Sequence, residues 1–192
     1  MAEDGTLKKR WFPVPAEHAV LKMDGLLENI GPKHPVWSKR VKAEILNIES
    51  YRKFIRKQGG IPWFHLVPSK KKAYNFLLWE GYLRVVSRPE IRFDFIILLP
   101  ATYPTNCPRA LIDEVVLKKY KCSKIYANNT YVDKDTKKTY VMICHDHLKE
   151  VGEVWTPSLT IAHFLIREVH TWWTAQQNLV LTTYDELTGK KE

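Results

Sequence analysis

Residues 91–108 run Ile91-Arg92-Phe93-Asp94-Phe95-Ile96-Ile97-Leu98-Leu99-Pro100-Ala101-Thr102-Tyr103-Pro104-Thr105-Asn106-Cys107-Pro108. The stretch from Ile91 to Leu99 is aromatic and β-branched and reads as a strand; Tyr103 to Pro108 reads as a rigid turn that stops it. Working upstream, Trp63–Val67 and Tyr74–Val86 have the same strand composition. The separators Pro68-Ser69-Lys70-Lys71-Lys72 and Ser87-Arg88-Pro89-Glu90 are short and polar. A parallel crossover needs a dozen or more residues, so these strands are antiparallel neighbours. Downstream, a fourth strand is expected within Arg109–Leu117. The polar stretch Tyr120–Tyr140, with Asn128-Asn129 and Asp133-Lys134-Asp135, reads as loop. It ends in the buried-looking Tyr140-Val141-Met142-Ile143-Cys144.

Helices flank this meander. From Pro35, the residues Trp37, Val41, Ile45, Ile48 and Ile55 recur at three-, four- and seven-residue spacings, with Lys39, Arg40, Lys42, Arg52 and Lys53 between them. That periodicity predicts an amphipathic helix of about six turns, ended by Gly59-Gly60 and Pro62. The last long helix is expected to start at Trp155-Thr156-Pro157-Ser158, with Thr156 as N-cap and Pro157 in the first helical position. Ala162, Leu165, Ile166, Val169, Trp172 and Trp173 then form its apolar stripe. The expected architecture is α+β: an N-terminal helix, a four-stranded antiparallel meander, a long loop holding a cysteine, and C-terminal helices. Residues 33–178 make the domain. Residues 1–32 read as an N-terminal arm, partly docked through Val20, Leu21, Leu26 and Leu27, and 179–192 as a C-terminal tail.

The chain has 192 residues, 45% hydrophobic and 27% charged, enough to bury roughly 70% of its unfolded surface without a disulfide or metal staple. Apolar runs reach about six residues, against the roughly 20 a membrane helix needs. The N-terminal Met1-Ala2-Glu3-Asp4-Gly5 has no secretory-signal pattern, so a cytoplasmic protein is expected. Lys and Arg exceed Asp and Glu by 30 to 21, a net charge of +9. The basic residues are scattered in short clusters without an RNA-binding or helix-turn-helix signature, so nucleic acid is discounted as a partner; an acidic protein fits the same electrostatics.

Three cysteines, Cys107, Cys122 and Cys144, make an odd number. In a reducing compartment this favours free thiols, each worth weighing as a reactive group. Cys144 stands between the apolar Val141-Met142-Ile143 and the polar His145-Asp146-His147. Its backbone is anchored while titratable groups lie on its far side. A free thiol titrates near pH 8.5, and a neighbouring imidazolium or helix N-terminus lowers that value and makes the thiolate nucleophile. The alternative is a small core residue, with Asp146 and His147 capping the next turn. Zinc is weaker, because Cys107 and Cys122 sit singly and a structural site wants four paired ligands. No metal is expected. A thiol hydrolase would need a distant base and orienter, and no papain- or caspase-like signature surrounds Cys144.

Taken together, three features resemble the E2 ubiquitin-conjugating fold. The Pro100–Pro108 stretch is similar to that family's Tyr-Pro-x-x-x-Pro turn. Ile143-Cys144, followed about a dozen residues on by Trp155-Thr156-Pro157-Ser158-Leu159-Thr160-Ile161, is similar to its Ile-Cys and Trp-Ser-Pro-Ala-Leu-Thr-Ile. The third feature is the spacing between them. Within the superfamily, the stretch from about Val20 to Trp173 resembles the enzymes that conjugate the ubiquitin-fold modifier, the Ufm1 type. Trp37 and Arg40-Val41-Lys42 match that branch's first long helix, Trp63-Phe64-His65-Leu66 its Trp-Phe-x-Leu strand, and Ile91–Pro108 its Tyr-Glu-Phe-Asp-Ile strand and the following turn. Cys144-His145-Asp146-His147-Leu148-Lys149 is similar to its Cys-Leu-Thr-Asp-His-Phe-Lys, one residue shorter.

The resemblance implies that an activating enzyme hands a ubiquitin-like modifier to Cys144 as a thioester, and that a lysine amine then takes it, with or without a ligase. No cofactor is implied, and a monomer is expected. Asp146 and His147 match the family's Asp-His pair and are candidates to orient or deprotonate the amine. The ordinary family carries His-Pro-Asn before its cysteine, which is missing here; the Ufm1-type branch has Thr-Ala-Lys, which Cys122-Ser123-Lys124 resembles through Lys124. Lys124, Asn128 and Asn129 are candidate donors to the oxyanion, though Asn128-Asn129 also reads as a plain turn. The segment between Tyr126 and Cys144 is about a dozen residues longer than in that branch. Lys39, Arg40 and Lys42 lie where the family meets the activating enzyme. Other readings are an E2-like binding module without chemistry, and a thiol hydrolase acting on modifiers.

Overall fold

The structure, a computed structural model, describes residues 35–73, 76–123, 126–143 and 155–189. Helix α1 spans Pro35–Lys57, where the apolar spacing calls for it. Gly59, at φ +76°, turns the chain after it, and the Gly60 N–H returns to the Ile55 carbonyl at 2.9 Å. Six strands follow: β1 Phe64–Ala73, β2 Phe76–Arg84, β3 Arg92–Pro100, β4 Arg109–Asp113, β5 Tyr126–Val132 and β6 Thr139–Met142. They form one sheet in the order β1-β2-β3-β4-β6-β5, with antiparallel pairing throughout. A short helix α2, Glu114–Lys119, follows β4. The chain ends in α3 (Ile161–Phe164), a π-helical turn (Leu165–Val169) and α4 (His170–Thr188).

The sheet has six strands where four were expected, and the additional pair arises in the stretch read as loop. Residues 126–142 fold back as a hairpin with Tyr131 opposite Tyr140, and β6 joins β4 through Leu111↔Met142. The separator Pro68–Lys72 belongs to β1, whose register shifts between Pro68 and Lys72. A strand with no partner on one side among the described residues tolerates the loss of an N–H to proline. The expected fourth strand is shorter: Asp113 accepts a hydrogen bond from the Val115 N–H at 2.9 Å and starts α2 instead. The supposed tail from 179 continues α4 as far as Thr188, with Val180 and Thr183 buried.

Alternation along the strands splits the apolar residues between two faces. Phe93, Phe95, Ile97 and Leu99 of β3 enter the main core with Phe64, Leu66, Trp79 and Leu83. Ile48 and Tyr51 of α1 and Phe164, Val169, Trp172 and Trp173 of the C-terminal helices close that core. Trp173 meets Phe93 edge-on at 4.9 Å and donates its Nε1–H to the Arg84 carbonyl at 3.1 Å. Ile96 and Leu98 point the other way, into a smaller cluster with Leu78, Leu111 and Tyr140. Among the described residues, no helix is long and apolar enough to cross a membrane.

Candidate active site

The Pro100–Pro108 turn is built from its own backbone and fastened from three sides. Tyr103 N–H donates to the Pro100 carbonyl at 2.9 Å, Thr105 N–H to the Thr102 carbonyl at 2.8 Å, and Asn106 Nδ2 to Thr102 Oγ1 at 2.7 Å. The Tyr103–Pro104 bond is cis. Tyr103 is fully buried, and its hydroxyl donates to Glu44 Oε1 at 2.6 Å. Glu44 also pairs with Arg40 Nε at 2.6 Å and accepts the Ile161 N–H on Oε2 at 2.8 Å. Arg40 Nη2 donates to the Leu159 carbonyl at 2.6 Å. One ion pair thereby joins α1, the proline turn and the start of α3. Burial pushes the Glu44 carboxyl up against the pull of Arg40 and its hydrogen bonds. For the Arg40 guanidinium burial acts downward, and Tyr103 and Glu44 outweigh it, leaving it above its ordinary value.

This network settles two expectations differently from the sequence reading. Arg40, expected on a partner-facing surface, is 3% exposed and points inward, while Lys39 and Lys42 on the same helix are exposed. The helix cap is Thr160 rather than Thr156. Thr160 Oγ1 accepts the His163 N–H at 3.3 Å and His163 Nδ1 accepts the Thr160 N–H at 3.1 Å, a capping box, while Glu44 takes the next free N–H. Thr156 meets Ser158 in the preceding turn at 2.7 Å. Burial, with Arg167 and Arg40 adding to it, lowers the His163 imidazole to about 4. Reasoning from sequence overlooked Glu44 and the Tyr103 hydroxyl; the i,i+4 spacing of Arg40 and Glu44 was the available signal.

Cys144, Asp146, His147 and Lys124 lie outside the described residues, as do the side chains of Asn128 and Asn129. The residues flanking them are fixed. Ile143, directly before Cys144, is buried and donates its N–H to the Ala110 carbonyl at 3.0 Å. Trp155, after the 144–154 stretch, donates Nε1–H to the Pro104 carbonyl at 2.6 Å and meets Tyr103 at a tilt and Phe164 edge-on. Both ends of the cysteine-bearing stretch are thus tied to the proline turn or the strand that leaves it. Ser123 N–H donates to Gln176 Oε1 at 3.0 Å, and Tyr126 pairs with Met142. Met142, opposite Tyr126, is two residues before Cys144 in the sequence.

The two described thiols are poor nucleophiles. Burial, and the nearby Glu168 carboxylate, push Cys107 up to about 12, and burial pushes Cys122 up to about 11. At neutral pH neither supplies appreciable thiolate. Among the described residues, no three His, Cys, Asp or Glu side chains gather as a metal would require.

This α+β body, with an N-terminal helix, an antiparallel sheet and C-terminal helices around a proline turn, is compatible with the ubiquitin-conjugating fold. The chain is similar to the Ubiquitin-fold modifier-conjugating enzyme 1 of Drosophila ananassae, 29% identical over 147 residues that cover 74% of this chain and 76% of the relative. No family model matches the chain. The similarity bears out the resemblance to the ubiquitin-conjugating superfamily and its ubiquitin-fold-modifier branch, and it supports a conjugating enzyme in general terms.

Proposed function

We propose that the chain is an E2-type conjugating enzyme that carries a ubiquitin-fold modifier, or a close analogue, on Cys144. The Cys144 thiolate attacks the thioester carbonyl that joins the modifier to its activating enzyme, and the activating enzyme's thiol leaves. A lysine ε-amine of an acceptor then attacks the new thioester, an amide forms, the amine loses its proton, and Cys144 leaves as thiolate. Each step exchanges one acyl bond for another and needs no oxidant or cofactor. Lys124, or an Asn128 or Asn129 amide, would donate to the oxyanion, where one donor is worth about 2.7–4 kcal/mol. Asp146 or His147 would orient the amine or take its proton. Lys39 and Lys42 are the exposed cations of the α1 surface offered to the activating enzyme. A cytoplasmic monomer, working with or without a ligase, fits this role.

One observation carries the reading. The residues on either side of the Cys144 stretch are pinned, Ile143 on Ala110 and Trp155 on Pro104, while Cys107 and Cys122 are held as thiols. The test is incubation with the activating enzyme, the modifier and ATP, followed by a non-reducing gel. A thiol-sensitive adduct that disappears in Cys144→Ala is expected. No adduct, or one that survives Cys144→Ala, overturns the assignment.

A further inference from the structure

The β5–β6 hairpin curls over the face of the sheet that is turned away from the main core. Its Tyr131 and Tyr140 pack on Leu78, Ile96, Leu98 and Leu111. Lys138, just before β6, pairs with Asp94 of β3 and, at 3.4 Å, with Asp113. Between hairpin and sheet lies a cleft of about 340 Å³, within the range of about 300–1,000 Å³ common to ligand sites. Its lining carries three carboxylates, Glu80, Asp94 and Asp133, against one ammonium, Lys138, in a chain whose net charge is +9. Burial, and then Arg52, lower the imidazole of His65 in the same lining, so that ring is neutral at pH 7.

Two acceptors in this cleft are open. Glu80 Oε1 accepts the Ser69 hydroxyl at 2.7 Å, and Asp133 Oδ1 accepts the Asp135 and Thr136 N–H groups at 2.8 and 3.1 Å. Asp94 gives Oδ2 to Lys138 and keeps Oδ1 without a hydrogen-bond partner among the described residues. Tyr140 is 7% exposed, with its ring 6.3 Å from that of Tyr131, and its hydroxyl has no hydrogen-bond partner among the described residues. A buried tyrosine normally finds one. Burial raises the pKa of that hydroxyl, Lys138 draws it down, and Asp94, Asp113 and Asp133 push it up again, so the oxygen stands among the charges of the cleft. The chain's own cations already settle on this face: Lys138 on Asp94, and Arg92 and Arg84 over the Tyr82 ring at 4.7 and 5.8 Å.

We propose that the cleft receives a lysine side chain of a partner protein, its methylene stem along Val67 and the Tyr131 ring and its ammonium donating to Asp94 Oδ1 and the Tyr140 hydroxyl oxygen. Val67 lines the cleft and is 43% exposed, an apolar surface open to such a stem. An ammonium brings three donors and no acceptor, which suits two acceptors left open. A free amine would leave part of the space to water, whereas the backbone on either side of a lysine fills it. None of these residues is assigned to the conjugating reaction, so binding here is measured without it.

The test titrates the full chain, labelled in its Val methyl groups and Tyr rings, with acetyl-Gly-Lys-Gly-amide, with the same peptide acetylated on Nε, and with 1,5-diaminopentane. The lysine peptide should shift the Val67 and Tyr131 signals saturably at millimolar concentrations. The acetylated peptide, with the same stem and no charge, should bind about tenfold more weakly or worse. Tyr140→Phe keeps the ring and removes one acceptor, and should weaken the lysine peptide roughly fivefold; Asp94→Asn removes the charge and should weaken it about tenfold. The proposal falls if no saturable shift occurs, if the acetylated peptide binds as well, or if both variants bind like the wild type. It also falls if diaminopentane binds as tightly as the peptide, which would mark a free amine as the occupant.

Discussion

Replacing Arg40 by Met tests the claim that one ion pair fastens α1 to the site. Met keeps most of the stem and removes the charge, so the fully buried Glu44 loses its cation and keeps only the Tyr103 hydroxyl at 2.6 Å and the Ile161 N–H at 2.8 Å. Removing one partner of a buried pair costs about 3–5 kcal/mol. In a domain of this size each kcal/mol lowers Tm by roughly 2–4 °C, so a drop of about 6–20 °C is expected. The double variant Arg40→Met/Glu44→Leu removes both charges. It still strands the Tyr103 hydroxyl and the Ile161 N–H, at about 1–3 kcal/mol each if they stay dry. The two single losses should therefore exceed the double loss by about 2–3 kcal/mol. Urea denaturation of the four proteins under one set of conditions measures this coupling. An Arg40→Met loss below about 1 kcal/mol, or singles that add to the double within about 0.5 kcal/mol, would refute the reasoning.

His163 should make stability depend on pH. Its folded value of about 4 lies below the ordinary 6.5, so the unfolded chain takes the proton first. Stability is fully present above about pH 6.5 and falls by about 3 kcal/mol as the pH approaches 4. His163→Gln retains a capping side chain at the same position and should flatten that slope; parallel slopes for variant and wild type would count against the assignment. Trp155→Phe keeps the ring beside Tyr103 and Phe164 and loses the 2.6 Å bond to Pro104. About 1 kcal/mol of lost anchoring corresponds to adduct formation roughly fivefold slower in single turnover, and an unchanged rate would show that the bond does not position Cys144. At Gly81 an added Cβ would stand 1.8 Å from the His65 carbonyl oxygen. Gly81→Ala should therefore cost about 3 kcal/mol or more as β1 and β2 part, and a near-native urea midpoint would contradict it.

Local patterns carried the parts of the fold that bury an apolar stripe. The spacing of Ile45, Ile48 and Ile55 announced α1, and the aromatic and β-branched run of β3 announced a strand. The β5–β6 hairpin escaped because Asn128, Asn129, Thr130 and Asp133 have the composition of a loop, and an outermost strand needs little apolar surface to be held by its ladder. Thr156 and Thr160 are both acceptable caps in isolation. What selects Thr160 is a carboxylate that takes the N–H of the next residue, Ile161, from 117 residues away in sequence, which no local window contains. Arg40 was misplaced for the same reason, since its binding partners Tyr103 and Leu159 come from two later segments. Cys144 stood out through its immediate neighbours, whereas the pinning of its flanks on Ala110 and Pro104 required the fold.

The two rims of the sheet share a habit. On one side β1 slips register between Pro68 and Lys72, across the run Lys70-Lys71-Lys72; on the other β5 slips between Tyr126 and Thr130. A foreign strand needs a straight, uninterrupted row of N–H and C=O groups to zip onto, and proline, bulges and massed lysine each spoil that row. A sheet whose rims are broken in this way is kept from being lengthened, strand by strand, into a fibre.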